Sequence, residues 1–413
     1  MSKYKSNTKD QILFQNVKGF KEEHFEKTGH TLSNRDLRVI CLSDTQVNLK
    51  QRSYHTKELR DKWGGTRMGV INSPNTIAKK GDKRNKVGGC SIMVHSEWTK
   101  RIVNSWPDSR GWGRYCGVLL GGKLGERLLI LNVYAPPDSK HSALYTSQQQ
   151  KLVESGEIKL KEDGSIESEQ QSDPFYYLLE DIAPLLRFAG EKGWKVAMGG
   201  DFNTHWPKQN SPTKPRTKIL LDFLDRYKLK NLFTYLNPKK EYPLTYRNTI
   251  EPGDNLVSSL DYVFVSDKLL VKSHPHLSIR IFDQLSPPFV SDHVPVYLGL
   301  HLLKLLRLTR QDIEDPPDPP KRTTIKLNTK KEKQTFHKLL QDEWVAQDLH
   351  NVVKELANKA NITTDDMDLF MDKVKLAYNE ATFKGTEPIV VPTFRSAFKN
   401  GWSPEYIAEN KKS

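Results

Sequence analysis

Short apolar runs bounded by Gly, Pro, Asp or Asn recur from Gln11 to about Leu306. Their β-branched and aromatic content predicts strands at Ile12–Val17, Leu37–Leu42, Gly89–Val94, Arg114–Leu120, Leu128–Tyr134, Lys195–Met198, Ser259–Val265 and Val294–Leu300. Two segments switch to helical spacing. Pro174–Lys192 follows an Asp-Pro start, and Thr217–Leu229 sets Ile219, Leu220, Phe223, Leu224 and Tyr227 on one side. Many strands and few helices predict a four-layer α/β sandwich, two stacked and mostly antiparallel sheets flanked by helices.

The polar, acidic stretch Lys151–Ser172 reads as a surface insertion in a domain covering 1–306. Asp-Pro-Pro-Asp-Pro-Pro, inside Gln311–Pro320, can continue neither a helix nor a central strand, so 307–320 is expected to be a linker. Beyond it, Lys331–Gln347, His350–Lys359 and Thr364–Phe383 carry helical patterns, and 321–413 reads as a helical tail.

Composition narrows the class. The 413 residues are 36% hydrophobic and 28% charged, enough for a sizeable core with a polar surface. No run approaches the roughly 18 apolar residues of a membrane span. The charged start Met1–Lys9 has no apolar stretch behind it, so neither a signal peptide nor a membrane partner is expected. Cys41, Cys90 and Cys116 lack metal-ligand spacing and read as buried thiols in a reducing, intracellular compartment. A net charge of +14 favours a polyanionic partner, nucleic acid being the commonest.

Candidate chemistry sits where apolar runs end. Trp194–Met198 leads through Gly-Gly into Asp201-Phe202-Asn203, and strand alternation would turn Asp201 and Asn203 one way and Phe202 into the core. Asp and Asn after a strand also simply make turns. Other runs present Asn16, then Asp44, then Asn132 with Tyr134, then Asp261, and finally Asp292 with His293.

In this order the series Asn16, Asp44, Tyr134, Gly200-Asp201-Phe202-Asn203, Asp261 and Ser291-Asp292-His293 resembles the endonuclease/exonuclease/phosphatase superfamily, the deoxyribonuclease I-like fold. The resemblance covers about Asp10 to Leu306. Within that superfamily Cys41–Gln46, Asn132–Pro137, Pro243–Asn248 and Ser259–Tyr262 look most like the endonuclease domain of LINE-type, non-LTR retrotransposons. The resemblance implies phosphodiester hydrolysis with Mg2+, or Mn2+, and no small-molecule cofactor. It implies a metal end of Asn16, Asp44 and Asp292, and a water and a phosphate oxygen oriented by Asp201 and Asn203. His293 would meet the scissile phosphate with Asp261 holding its imidazole. Tyr134 would offer its phenol, and Thr245 a hydroxyl, to the phosphate. The implied product is a DNA nick with a 3′-hydroxyl, which calls for nuclear access.

Three departures stand out. The family's metal-binding acid is normally Glu where this chain has Asp44, Lys18 stands where several members carry an acid, and Ser259 replaces a basic residue frequent before the Leu/Ile-Asp-Tyr step. Substrate contacts are expected from Asn132, Thr245, Trp206 and Arg114, with the mixed cations and aromatics of Trp106–Tyr115, the basic loop from His205 to Arg216, and Lys79–Lys86 nearby. Two further readings are open: a phosphoinositide or lipid phosphodiesterase of the same fold, and a non-catalytic DNA-binding remnant. The tail, including Gly401–Glu405, resembles the linker that follows the endonuclease in LINE polyproteins, as in a fragment or truncated copy.

Overall fold

The structure, a computed structural model, describes residues 10–19, 37–46, 68–77, 87–138, 142–163, 165, 172–207, 212–247, 256–273, 276–281, 289, 291–313, 323–324, 329–359, 362–385 and 389–390. Lys79–Lys86, Lys208–Ser211, the Pro-rich stretch after Ile313 and Gly401–Glu405 lie outside these residues. The chain divides into two compact units, one including residues 1–314 and the other 315–396.

In the first unit the strands are β1 (Asp10–Asn16), β2 (Leu37–Ser43), β3 (Gly69–Ser73), β4 (Cys90–Val94), β5 (Ile102–Pro107), β6 (Tyr115–Gly121), β7 (Arg127–Tyr134), β8 (Lys195–Asp201), β9 (Leu229–Asn231), β10 (Tyr246–Arg247), β11 (Leu256–Ser258), β12 (Asp261–Ser266), β13 (Ser278–Ile281) and β14 (Val296–Leu300). Among the described residues, one six-stranded sheet has the order β13-β14-β1-β2-β4-β3 and a second has the order β5-β6-β7-β8-β12-β9. Neighbours are antiparallel except β1 with β2 and β7 with β8. The fold is therefore an α/β sandwich.

Strand alternation builds its layers. Ile12 and Phe14 of β1 join Val39, Cys41, Ile130, Ala197 and Val263 in the core between the sheets, while Leu13 turns outward with Ile40, Leu42 and Tyr297. On the far side of the second sheet, Leu129, Leu131 and Met198 are covered by α2 (Pro174–Glu191) and α3 (Pro215–Arg226), through Phe175, Leu178, Ile182, Ile219 and Phe223. Both faces of the central strands are thus buried, which is why they read as nearly unbroken apolar runs. The three cysteines are fully buried in this interior, and burial pushes their thiols well up.

Helix limits follow local chemistry. Asp173 caps α2 by accepting from the Phe175 N–H at 2.9 Å, and Pro174 sits where no N–H is needed. Helix α3 ends earlier than its apolar spacing suggests, because Lys228 turns to φ 52° and Leu229 begins β9. Strands β3 and β5 have no counterpart in the apolar pattern. Both are edge strands, and β5 is largely uncovered and closes on Pro107.

The described residues of Lys151–Ser172 are mostly exposed, with two buried anchors in the first part. Helix α1 (Ala143–Glu154) runs into it, Leu152 and Ile158 are buried, and the Glu157 carbonyl accepts from the Tyr177 hydroxyl at 2.8 Å. Its first part is packed structure.

In the second unit, α4 (Lys330–Ala346) opens with a reciprocal cap, Thr329 with Glu332, and α5 (Leu349–Asn358) and α6 (Thr364–Gly385) follow. A two-residue antiparallel pairing of Thr323–Thr324 with Ile389–Val390 accompanies them. Among the described residues no helix is long and apolar enough to cross a membrane.

Candidate active site

Each sheet's parallel pair sets two strand C-termini side by side. In the first sheet these ends supply Asn16 and, just past Ser43, Asp44; in the second they supply Tyr134 and Asp201, neighbours in register. The sheets meet here, where Asn16 Nδ2 donates to Asp201 Oδ2 at 2.8 Å. Glycine makes the approach possible: a Cβ on Gly199 would press 2.8 Å from the Phe14 ring of the facing sheet, and one on Gly200, at φ 129°, would fall on the Val133 carbonyl of the neighbouring strand.

Asp201 also accepts from the Asn203 backbone N–H at 2.9 Å and from its Nδ2 at 3.2 Å. Phe202 is fully buried against Phe264 and Tyr262. Plain strand alternation is not what brings Asn203 back, since β8 ends at Asp201 and Asn203 stands at φ 46° in a tight turn, its Nδ2 also on the Ala135 carbonyl at 2.8 Å. Burial raises the Asp201 carboxyl well above the carboxylate range; His293 pulls it down and Asp261 pushes it further up.

Asp261 opens β12 directly opposite Asp201. Its Oδ2 lies 2.8 Å from His293 Nδ1, while His293 Nε2 faces Asp201 Oδ2 at 3.8 Å. Burial resists a charge on His293, but the Asp261 and Asp201 carboxylates outweigh it and lift its pKa to about 9. Gln15 braces the His293 loop, its Nε2 donating to the Phe289 and His293 carbonyls at 2.9 and 3.2 Å. The Ser291 hydroxyl accepts the His293 N–H at 3.1 Å. The half-buried Tyr246 ring lies 5.0 Å from the imidazole.

Asp292 pairs with Lys18, Nζ to Oδ2 at 2.6 Å. Asp44 stands at φ 51°, buried, with Oδ1 accepting from the Gly88 N–H at 2.8 Å and Oδ2 from Gln46 Nε2 at 3.1 Å. Burial raises its carboxyl. Tyr134 is buried within electrostatic range of Asp44, Asp201 and Asp292, and burial holds its phenol protonated well past its ordinary range. Asn16, Asp44, Tyr134, Asp201, Asn203, Asp261, Asp292 and His293 therefore share one edge of the sandwich.

The expected substrate contacts fare differently. Thr245 is fully buried, and its hydroxyl oxygen accepts from the Leu260 and Asp261 N–H groups at 3.0 and 3.1 Å; it braces Asp261 instead of reaching a phosphate. Asn132 is also fully buried and ties the sheets together, donating to the Leu42 carbonyl at 2.8 Å. Arg114 is the clearest correction. Its guanidinium is 0% exposed and ion-paired to Asp108 and Asp181 at 2.7 and 2.6 Å, because an arginine in the interior needs carboxylates there. Arg110 joins the same cluster, and both guanidiniums lie over the Trp112 ring. Trp206 packs on Tyr242, Tyr262 and Phe264 and keeps one part exposed. Gln15 and Tyr246 were not singled out; alternation along β1, which puts Gln15 on the face opposite Asn16, offers the only sequence signal.

Two donor sets can be weighed for a divalent cation. Asp201, Asp261 and His293 have ligand atoms within 4.8 Å of one another. The carboxylates also favour a proton on this imidazole, which a cation binding there would have to displace. Asn16, Asp44 and Asp292 are oxygen donors with two formal negative charges, the chemistry a hard cation takes. Their polar atoms already meet protein donors, so they fit such an ion only if Lys18 leaves Asp292.

The fold has solved counterparts. AP endonuclease LMAP from Leishmania major is similar at a TM-score of 0.50 and 15% identity, over 71% of this chain and 88% of that one. The catalytic domain of Xenopus laevis APE2 aligns at a TM-score of 0.48 and 16% identity, over 70% of this chain and 91% of that one. At 15% identity the likeness to the Leishmania major structure shows the fold alone. No family model and no curated protein matches the chain in sequence.

Proposed function

We propose that the chain is a metal-dependent phosphodiester hydrolase that nicks DNA and leaves a 3′-hydroxyl. The observation that carries this reading is the buried polar group in which His293, backed by Asp261, faces Asp201 across 3.8 Å. That separation is too long for a direct hydrogen bond and within ion-pairing distance, so a cationic imidazole and a carboxylate stand face to face. The net charge of +14 suits a polyanionic substrate, and the Leishmania major protein of similar fold is an AP endonuclease.

The roles follow from environment. Asp201, with its carboxyl raised by burial and held by Asn16 and Asn203, is the group that takes a proton from the attacking water. His293 remains charged and stabilises negative charge on the phosphate, with Asp261 fixing its ring. Tyr134, held protonated, is a donor for the phosphate or the departing oxygen. Mg2+ or Mn2+, when bound by Asn16, Asp44 and Asp292, supplies neutralisation of charge on the phosphate and leaving oxygen. Descent from a LINE-type retrotransposon is the finer part of the proposal. It is supported by Cys41–Gln46, Asn132–Pro137, Pro243–Asn248 and Ser259–Tyr262, and it entails action on nuclear DNA.

A second reading, DNA binding without cleavage, draws on the internal bonds of Asp44 and on Lys18 at Asp292. Supercoiled plasmid separates the two. Incubation with Mg2+ or Mn2+ should yield open circles that DNA polymerase extends without end repair, and EDTA should abolish them. Retention of plasmid without nicking would favour the second reading, and release of inositol phosphates from phosphoinositides would redirect the substrate to lipids.

A further inference from the structure

Lys18 carries the wrong charge for a site meant to collect cations, yet it bonds to two of the residues assigned to that task, Asn16 and Asp292, and feels the charge of the third, Asp44. The turn after β1 holds it at φ 46°, where its backbone N–H donates to Asn16 Oδ1 at 2.9 Å. Its ammonium donates to Asp292 Oδ2 at 2.6 Å and lies within electrostatic range of Asp44. The Asp292 side chain is 3% exposed and that of Lys18 is 51% exposed. A carboxylate so deeply buried is costly to leave unpaired, and here the lysine offsets that cost. A divalent cation drawn to the same oxygens would face a like charge within a few ångströms in a poorly screened pocket. The two compete for Asp292 Oδ2 in this arrangement.

We infer that Lys18 is a built-in competitor for the divalent cation, holding Asp292 until an ion displaces the ammonium toward solvent. The inference rests on the metal-dependent reading above. The half-exposed stem gives the ammonium a path out, since a lysine is a point charge on four rotatable methylenes. The oxygen donors themselves are left in place when it moves. Lys18 thereby sets the cation concentration at which the site loads, and with Asp44 in place of the longer Glu it tilts the site toward weak binding.

Mn2+ titration of the full-length protein, with free Mn2+ read by electron paramagnetic resonance, tests this. Lys18→Met should bind Mn2+ on the order of tenfold more tightly than wild type, the scale of one charge-assisted hydrogen bond. Lys18→Arg should stay near wild type. In an Asp292→Asn background the Lys18→Met change should have little effect on affinity. Lys18→Gln repeats the measurement with a polar side chain should the methionine variant not fold. Unchanged or weaker Mn2+ binding in both neutral variants, or no Mn2+ binding by any form, overturns the inference. Plasmid nicking run in parallel keeps the two proposals apart. Nicking by wild type with no gain in Mn2+ affinity defeats the Lys18 inference alone, whereas tighter binding without any nicking upholds it and defeats the nuclease reading.

Discussion

At the scale of single residues, the site is a set of polar side chains whose neighbours decide what each can do. Thr245 illustrates this best. As a hydroxyl near a presumed phosphate it invites a substrate role, but its oxygen accepts from the N–H of Asp261 and the residue is fully buried. Thr245→Val preserves shape and strands those N–H groups, so it should cost about 1–3 kcal/mol in urea unfolding and lower the nicking rate through a misplaced Asp261. A substrate contact would instead weaken DNA binding with stability unchanged. The tetrad at Gly200–Asn203 was legible in the sequence because glycine, a turn carboxylate and an apolar residue each have a local reason to be there. Lys18 on Asp292 was not, because 274 positions separate the two and nothing local to Lys18 announces a distant carboxylate.

At the scale of elements, the most consequential charge cluster is structural. Asp108 follows β5, Arg114 precedes β6 and Asp181 rides on α2, so the buried Arg114 guanidinium fastens the edge of the second sheet to its covering helix. Burial works against the charge on Asp108, and Arg114 outweighs it, leaving the carboxyl below its usual 3.8. A carboxylate lowered on folding stabilises the protein above its unfolded pKa and loses that contribution as pH falls through its folded value. Arg114→Met leaves Asp108 unpaired and should destabilise by roughly 3–5 kcal/mol at neutral pH, with the gap from wild type narrowing below about pH 4 as Asp108 protonates. Denaturant unfolding across pH checks this, and a gap that stays constant would mean that lost packing alone is responsible. The central strands and the helices α2 and α3 were readable because burial on both faces, or on one helical stripe, leaves a periodic trace. Strands β3 and β5, at sheet edges, leave none, and the same blindness to partners made Arg114 look like a DNA contact.

At the scale of the whole molecule, the topology explains why the chemistry collects at one edge. A single parallel pair within each otherwise antiparallel sheet aligns the C-termini of β1 with β2 and of β7 with β8, and stacking the sheets brings Asn16 against Asp201. A strongly basic chain then carries this acidic, buried cluster, which suits a site that works on a polyanion through a cation. The second unit contributes none of the residues of the proposed chemistry. The central question is whether this edge cleaves phosphodiesters. The most direct measurement is single-turnover nicking of a labelled duplex by wild type, Asp201→Asn and His293→Ala, each first shown by thermal melting to be folded. The prediction is that both variants lose at least about a hundredfold in rate while still binding the duplex. Folded variants that nick as fast as wild type would contradict it.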